Sequence, residues 1–132
     1  MSDSKPKVRP LSPHLQIYRP MLSMTMSIMH RITGVVLAVG MIGLVWWFTA
    51  ASVSDSYFGL VQAFFYHWFG SLVLFGFTWA LMHHMLGGLR HFVWDTGRGF
   101  ELKTVEWLVR ANVIGSVLLT VLIWAIVYGV RP

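Results

Sequence analysis

Three long stretches of the chain consist mainly of apolar residues and carry no charged side chain. They cover residues 32–54, 56–89 and 111–130. At about 1.5 Å of rise per residue, a helix over each stretch is long enough to cross roughly 30 Å of hydrocarbon. The pattern therefore predicts a three-helix transmembrane domain of residues 23–132, with helices at about 23–52, 61–94 and 105–130.

The spans are predicted to be helices, because a lone strand would leave its backbone groups unpaired in lipid and the alternating pattern of a barrel is absent. Polar residues at 51–56 and a mixture of Gly, Arg, Glu and Lys at 95–110 indicate the two connecting loops. Because the middle stretch is longer than a span requires, its residues 56–62 are predicted to form a loop or an interfacial segment. The expected fold is an all-α membrane protein.

Basic residues precede the first span and separate the second from the third: Lys5, Lys7, Arg9, Arg19, Arg31, Arg90, Arg98, Lys103 and Arg110. The first loop has none, and only Arg131 follows the third span. The positive-inside rule then places residues 1–22 in the cytoplasm and the C-terminus in the periplasm. The first 20 residues resemble neither a secretory signal nor an Arg-rich presequence. A bacterial inner membrane is favoured, and the mitochondrial inner membrane stays open for a mature chain.

Composition agrees with a membrane environment. Of the 132 residues, 56% are hydrophobic and 11% are charged, and the mean hydropathy is +0.64, well above that of an ordinary soluble fold. The absence of Cys excludes a cysteine-ligated iron–sulfur cluster in this chain. The net charge of +5 comes from residues that flank apolar spans, so nucleic-acid binding is not expected.

A histidine followed by two glycines stands out in the second span. At 100° per residue, His84 and His91 share one face of a helix, and Gly87 and Gly88 lie one turn beyond His84. An imidazole beside a gap in side-chain bulk suits a flat macrocycle with a central iron. Small residues also let helices pack closely, with the histidine hydrogen-bonding across the interface. Spacing alone leaves both interpretations open, and His83 is expected to be a hydrogen-bonded or lipid-facing residue.

Depth separates His84 from His30. His84 lies six residues, or about 9 Å, inside Arg90, whereas His30 is predicted at the cytoplasmic mouth of the first helix. The two are therefore expected to be too far apart in depth to ligate one iron, so a second axial histidine would come from another chain. His30 is better suited to the haem edge, where Arg31 would pair with propionates.

Ser27 and Arg31 lie four residues apart and share a helix face at the membrane boundary. A hydroxyl donor and a fixed cation suit the two carbonyl oxygens of a quinone, which gain charge and protons during reduction. A snorkelling anchor and an N-terminal cap are the open alternatives for these residues. Asp95 follows the second span, where it either forms a helix-end ion pair or supports the pocket.

These segments resemble the larger membrane-anchor subunit of succinate dehydrogenase, the cytochrome b subunit of complex II. The resemblance covers nearly the whole chain. Its motifs are RP at residues 9–10, SIMHRITG at 27–34, HMLGGLRH at 84–91 and WDTG at 94–97.

The resemblance implies a two-subunit helical bundle that binds one haem b, with His84 as the axial ligand and a second membrane-anchor subunit supplying the other. It implies that Ser27 and Arg31 form part of a ubiquinone site, that His30 and Arg31 lie near the haem propionates, and that His91 is a haem neighbour. FAD and iron–sulfur clusters would belong to the flavoprotein and iron–sulfur partner subunits. The expected function is electron transfer from succinate to quinone in the tricarboxylic acid cycle and respiratory chain, with no dicarboxylate chemistry in this chain.

Three alternative functions make different predictions. A quinol:fumarate reductase anchor would run the same chemistry in reverse, and a purely structural anchor would use His84 only to hydrogen-bond a neighbouring helix. A transporter predicts carboxylates within the spans, and the three uncharged stretches contain none.

Overall fold

The protein forms a bundle of four helices in the part of the chain described by the structure, a computed structural model covering residues 9, 10, 12 and 19–130. Most of the predicted N-terminal segment, residues 1–22, lies outside these residues. The helices are α1 (Leu22–Val53), α2 (Asp55–Tyr66), α3 (Trp68–Asp95) and α4 (Leu102–Val130).

Helices α1, α3 and α4 are long and apolar enough to cross a membrane. Large apolar side chains such as Val35, Ile42 and Leu118 point away from the bundle and are more than half exposed, whereas the buried apolar core is small. A soluble protein rarely leaves so much apolar surface uncovered, but lipid solvates it without cost. The prediction of an all-α membrane protein with three spans is confirmed.

The middle stretch folds as two helices, unlike the single helix predicted over residues 61–94. His67 separates α2 from α3 by adopting an extended backbone, with φ −63° and ψ 149°. Its imidazole Nδ1 accepts a hydrogen bond from the Phe69 amide, and a side chain at Gly70 would collide with the Phe64 carbonyl. Of the two alternatives for residues 56–62, the loop is wrong, because the Ser54 hydroxyl caps the amide of Tyr57 and α2 starts almost directly after α1. The interfacial segment stays a prediction.

The connection between α3 and α4 is shorter than the predicted loop at 95–110, because α4 already begins at Leu102. Gly97 and Gly99 both have positive φ, 74° and 80°, a conformation that glycine adopts without strain. The indole Nε1 of Trp94 donates to the carbonyl of Gly99 at 3.2 Å. This turn brings the ends of α3 and α4 together on one side of the bundle.

Helix α3 packs against both α1 and α4. Gly40 of α1 lets the ring of Phe77 approach the α1 backbone closely. Between α3 and α4, the indole Nε1 of Trp124 donates to the Thr78 hydroxyl at 3.2 Å. Small residues and polar side chains that bond across helices are the usual means of association in lipid, where the hydrophobic effect does not drive helices together. They fix the rotation of α3 and hence the direction of its histidines.

Candidate functional site

The rings of His30 and His84 lie against each other. Their centroids are 3.9 Å apart and their planes differ by 8°. The expectation that the two differ in depth is wrong. Helix α1 begins at Leu22, so His30 lies about 12 Å inside it, which brings it level with His84. The ring of His91 lies farther out, with its centroid 5.4 Å from that of His30.

The hydrogen bonds of His84 assign its tautomer. Its Nδ1 lies 3.1 Å from the carbonyl oxygen of His30 and 3.2 Å from the Thr33 hydroxyl. The carbonyl can only accept, and the Thr33 hydroxyl already donates to the α1 backbone, 2.9 Å from the carbonyls of Met29 and His30. Nδ1 of His84 therefore carries the proton and donates. Nε2 is left with a free lone pair, the form of imidazole that binds a metal.

Gly34 sets how closely His84 approaches α1. A Cβ atom placed on Gly34 would lie 3.1 Å from Cε1 of the imidazole, tighter than ordinary carbon contacts. Together with Thr33, the glycine holds the ring between α1 and α3. Thr33 and Gly34 of α1 thus support His84. The spacing of residues along α3 alone could not show this contact between helices.

His83 points to the opposite side of α3. It is 2% exposed, and its Nδ1 lies 3.2 Å from Nδ2 of Asn112 and 3.4 Å from the hydroxyl of Ser116. Both partners belong to α4. The hydrogen-bonded interpretation of His83 agrees with this geometry, since its ring is engaged within the chain whereas His84 faces α1.

The two glycines after His84 have different surroundings. A Cβ atom on Gly87 would lie 2.5 Å from Nδ1 of His30, whereas a Cβ on Gly88 would meet no atom within 4 Å. Gly87 therefore makes room for the imidazole of His30 within the chain. A gap beside His84 was expected at both glycines, and only Gly88 leaves one.

A polar cavity of about 270 Å³ opens beside the histidine stack. It lies between the first turns of α1 and the last turns of α3, and its walls are Ser23, Ser27, His30, Arg31, Arg90, His91 and Trp94. Its volume is slightly below that of ordinary ligand pockets, about 300–1,000 Å³. It suits a polar headgroup or a pair of carboxylates better than a whole macrocycle. Four residues predicted for the site meet here: Ser27, His30, Arg31 and His91.

Asp95 does not line this cavity. It is exposed at the end of α3 and forms no ion pair with a described residue, since Arg110 and Glu106 form the ion pair found among residues 19–130. The helix-end ion pair expected for Asp95 is therefore absent from this part of the chain. Its role in supporting the pocket stays a prediction.

Two residues of the site, Thr33 and Arg90, were not predicted from the sequence. Thr33 orients His84, as described above, and its position three residues after His30 on α1 was the available signal. Arg90 was used only as a marker of orientation, yet it is 5% exposed and stacks on the ring of Trp94, with Cζ 5.0 Å from the ring centroid. A buried charge within a span is itself a signal of function.

A larger cavity of about 560 Å³ lies toward the other end of the spans, around α2. Aromatic and aliphatic side chains form most of its wall, among them Trp46, Phe65 and Phe77, and it contains no histidine, arginine or carboxylate. Without such groups it offers neither a metal ligand nor a partner for charge. The smaller polar cavity is therefore the better candidate for a functional site.

The residues present fit a haem bound at one axial position. His84 offers a free Nε2, Gly88 leaves a gap, and Nδ1 of His30 has no hydrogen-bond partner among the described residues. Residues 19–130 hold no cluster of three His, Cys, Asp or Glu side chains able to bind a bare metal ion. The site could therefore hold a macrocycle that brings four ligands of its own, with His84 as the residue of this chain that would bind its iron.

Comparison with known proteins gives a consistent result. Residues 5–127 match the family described as the succinate dehydrogenase/fumarate reductase transmembrane subunit. The chain is 43% identical to the succinate dehydrogenase cytochrome b556 subunit of Paracoccus denitrificans over 122 residues, which are 92% of this chain and 94% of the relative. It is 40% identical to the subunit of the same name from Rickettsia conorii, covering 88% of this chain and 90% of the relative.

The mitochondrial succinate dehydrogenase cytochrome b560 subunit of Sus scrofa is 38% identical over 120 residues, which are 86% of this chain and 66% of the relative. Bacterial and mitochondrial relatives are thus both named as cytochrome b subunits of succinate dehydrogenase, and the family match covers the first two spans and most of the third. The chain therefore belongs to the family of succinate dehydrogenase and fumarate reductase transmembrane subunits, among the cytochrome b membrane anchors of succinate dehydrogenase.

Proposed function

We propose that this chain binds one haem b together with a second membrane-anchor subunit and forms part of the site at which ubiquinone is reduced with electrons from succinate. The flavoprotein and iron–sulfur subunits, with their FAD and clusters, would carry out the oxidation of succinate. The anchor would hold them at the membrane surface and provide the polar cavity for the quinone.

The observation that carries the proposal is the hydrogen bond from Nδ1 of His84 to the carbonyl of His30. Histidines that bind metals almost always donate their other ring N–H to a carbonyl, carboxylate or water, which fixes the tautomer and the ring orientation. His84 has this arrangement and His83 does not. When bound, haem b supplies one-electron redox chemistry. His84 would serve as one axial ligand, and the second anchor subunit would provide the other.

Hydrogen-bonding side chains around the cavity, including a guanidinium group, support a place for the carboxylates of the haem edge. His30 and Arg31 line the cavity from α1, and His91 lines it from α3. A guanidinium group forms strong, often bidentate, hydrogen bonds with carboxylates. These residues would fix the orientation of the ring while His84 binds its centre.

Ser27 and Arg31 would bind the quinone. Both are exposed in this chain, one helical turn apart on α1, and both line the polar cavity. A hydroxyl and a guanidinium in place before reaction stabilise the negative charge that develops on the quinone oxygens. The position of the cavity near the start of α1 gives protons a short route from the cytoplasmic surface in the proposed orientation, with the N-terminus in the cytoplasm and the C-terminus in the periplasm of a bacterial inner membrane.

The stack of His30 on His84 favours one other function, a structural anchor without a cofactor. In that case the interhelical hydrogen bond of His84 would serve packing alone. An optical spectrum separates the two functions. We expect a reduced-minus-oxidised spectrum of the purified complex to show b-type bands with about one haem per complex. A complex that contains all four subunits but lacks these bands would identify the anchor as structural.

The quinone site is tested by replacing Ser27 with alanine. We expect Ser27→Ala to lower the rate of ubiquinone reduction about tenfold, because one hydrogen bond to a group that becomes charged contributes roughly 1.5 kcal/mol. Succinate oxidation with a soluble artificial acceptor should be unchanged, since that acceptor bypasses the cavity.

Ser52→Ala is the matched control, because Ser52 is an exposed serine near the other end of the same helix. Both assays should give the wild-type rate in this variant. An equal loss in both assays for Ser27→Ala would indicate a defect of assembly and would remove Ser27 from the quinone site.

A further inference from the structure

Arg90 carries a charge that the rest of the described chain does not balance. It lies within α3, five residues before the end of the helix, and 5% of its surface is exposed. Burial of a guanidinium group is costly unless it is paired or hydrogen-bonded. The charge therefore requires a partner at this position.

Two of its donor nitrogens are free. Nε and Nη1 of Arg90 are buried and have no hydrogen-bond partner among the described residues. The Cζ atom of Arg90 lies 5.0 Å from the centroid of the Trp94 ring, a cation–π contact that supplies no hydrogen-bond acceptor for these two nitrogens. Arg90 lines the polar cavity, so the missing acceptor is expected there.

No carboxylate of residues 19–130 fills this role. The residues that line the cavity include no acid, and Asp95 is exposed without an ion pair in the described part of the chain. Nδ1 of His30, on the same cavity, also lacks a hydrogen-bond partner there. Two orphaned groups on opposite walls and the further cation of Arg31 fit an anion that enters between α1 and α3.

The position of Arg90 favours an anion that is attached to the group held by His84. Arg90 follows His84 by six residues on the same helix, a rise of about 9 Å, and it lines the cavity together with His91, which shares a helix face with His84. It is also far more buried than Arg31, which is exposed. A phospholipid headgroup would therefore meet Arg31 first, whereas Arg90 is reached from the inside of the bundle.

We propose that Arg90 binds a haem propionate through its unpartnered N–H groups, as a ligand of the carboxylate in addition to Arg31 and His30. This inference rests on the proposed haem site. Hydrogen bonds from a guanidinium group to a carboxylate are charge-assisted and are among the strongest that a side chain forms. Arg90 would then prevent the haem from rotating about its bond to His84, and the contact with the Trp94 ring would keep the guanidinium group in place.

The test compares haem b with its dimethyl ester, in which both propionates are uncharged. Assembled complex produced without haem is reconstituted with either compound, and the rate of transfer to apomyoglobin is measured. Wild-type complex should release the ester about ten to a hundred times faster than haem b, because charge-assisted hydrogen bonds are lost. In Arg90→Met this ratio should fall about threefold to tenfold but stay above one, since the variant has lost one of the groups that distinguish acid from ester while Arg31 and His30 remain.

Arg90→Met keeps an apolar stem and removes a buried charge, a replacement that folded proteins often tolerate. Arg90→Lys should give an intermediate ratio, because it retains the charge without the planar edge. Arg110→Met is the matched control, since Arg110 is an exposed arginine paired with Glu106 on α4, and it should keep the wild-type ratio. Should Arg90→Met not assemble, the wild-type and Arg90→Lys ratios decide the question.

The outcomes separate the two proposals. A wild-type complex that binds no haem overturns both the haem site and the role of Arg90. A wild-type complex that retains haem, with the same acid-to-ester ratio in Arg90→Met, overturns the role of Arg90 alone. Loss of a bound phospholipid or of the second anchor subunit from Arg90→Met, with that ratio unchanged, would assign Arg90 to those anions and would also overturn the proposal.

Discussion

His84→Leu is expected to remove the b-type absorption from the purified complex, whereas His83→Gln should leave it intact. Leucine has no lone pair for iron, and it cannot donate to the carbonyl of His30, which His84 reaches at 3.1 Å. Both the axial bond and its orientation are then lost. Glutamine at position 83 retains a polar group for Asn112 and Ser116, the α4 partners of the native imidazole. The measurement is haem per assembled complex, from the reduced-minus-oxidised spectrum.

His84→Leu and His83→Gln change adjacent residues, so their effects can be compared directly. Both variants change a histidine in the same turn of α3, so a general loss of helix packing would affect the two alike. Loss of haem from His83→Gln with retention in His84→Leu would transfer the ligand to His83. It would also require α3 to rotate by about 100°, which the contacts of His83 with α4 oppose.

Much of the site was accessible from the sequence because its residues lie close together along the chain. Ser27, His30 and Arg31 fall within two turns of one helix, and helical spacing alone places them at one end of a span. The motif around His84 likewise places His91 on the same face of α3. What these patterns could not give was the relation between the two helices. The contact of Nδ1 of His84 with the carbonyl of His30 joins residues 54 positions apart.

The predictions that were wrong also depend on contacts between segments that the sequence pattern does not show. The middle span was predicted as one helix because apolarity continues through His67, whereas the break depends on a close approach of Gly70 to the Phe64 carbonyl that hydropathy does not register. His30 was placed at the membrane surface because charge marks the interface in sequence, yet α1 continues about 12 Å beyond it. Arg90 was used only to mark orientation and depth, because its charge follows an apolar stretch in sequence, although the fold leaves it 5% exposed.

Gly87→Val is expected to reduce the haem content of the complex at least tenfold, and Gly76→Val should not. A Cβ atom at position 87 would lie 2.5 Å from Nδ1 of His30, so even the first atom of the valine side chain collides with the ring. His30 would have to leave its stack on His84. Overpacking of this kind costs about 1–3 kcal/mol, and here the strain falls on the carbonyl and imidazole of His30, which contact His84, the proposed axial ligand.

Gly76 is the matched control because it lies in the same helix and a Cβ atom there would contact no residue packed against that helix among residues 19–130. The two variants have the same cost of placing a β-branched residue in a helix, so the difference between them isolates the contact with His30. Haem content and the temperature at which haem is released measure the effect. If Gly87→Val keeps the wild-type haem content and release temperature, His30 does not pack against α3 in the assembled complex. The stacking of His30 on His84 would then not be what orients His84.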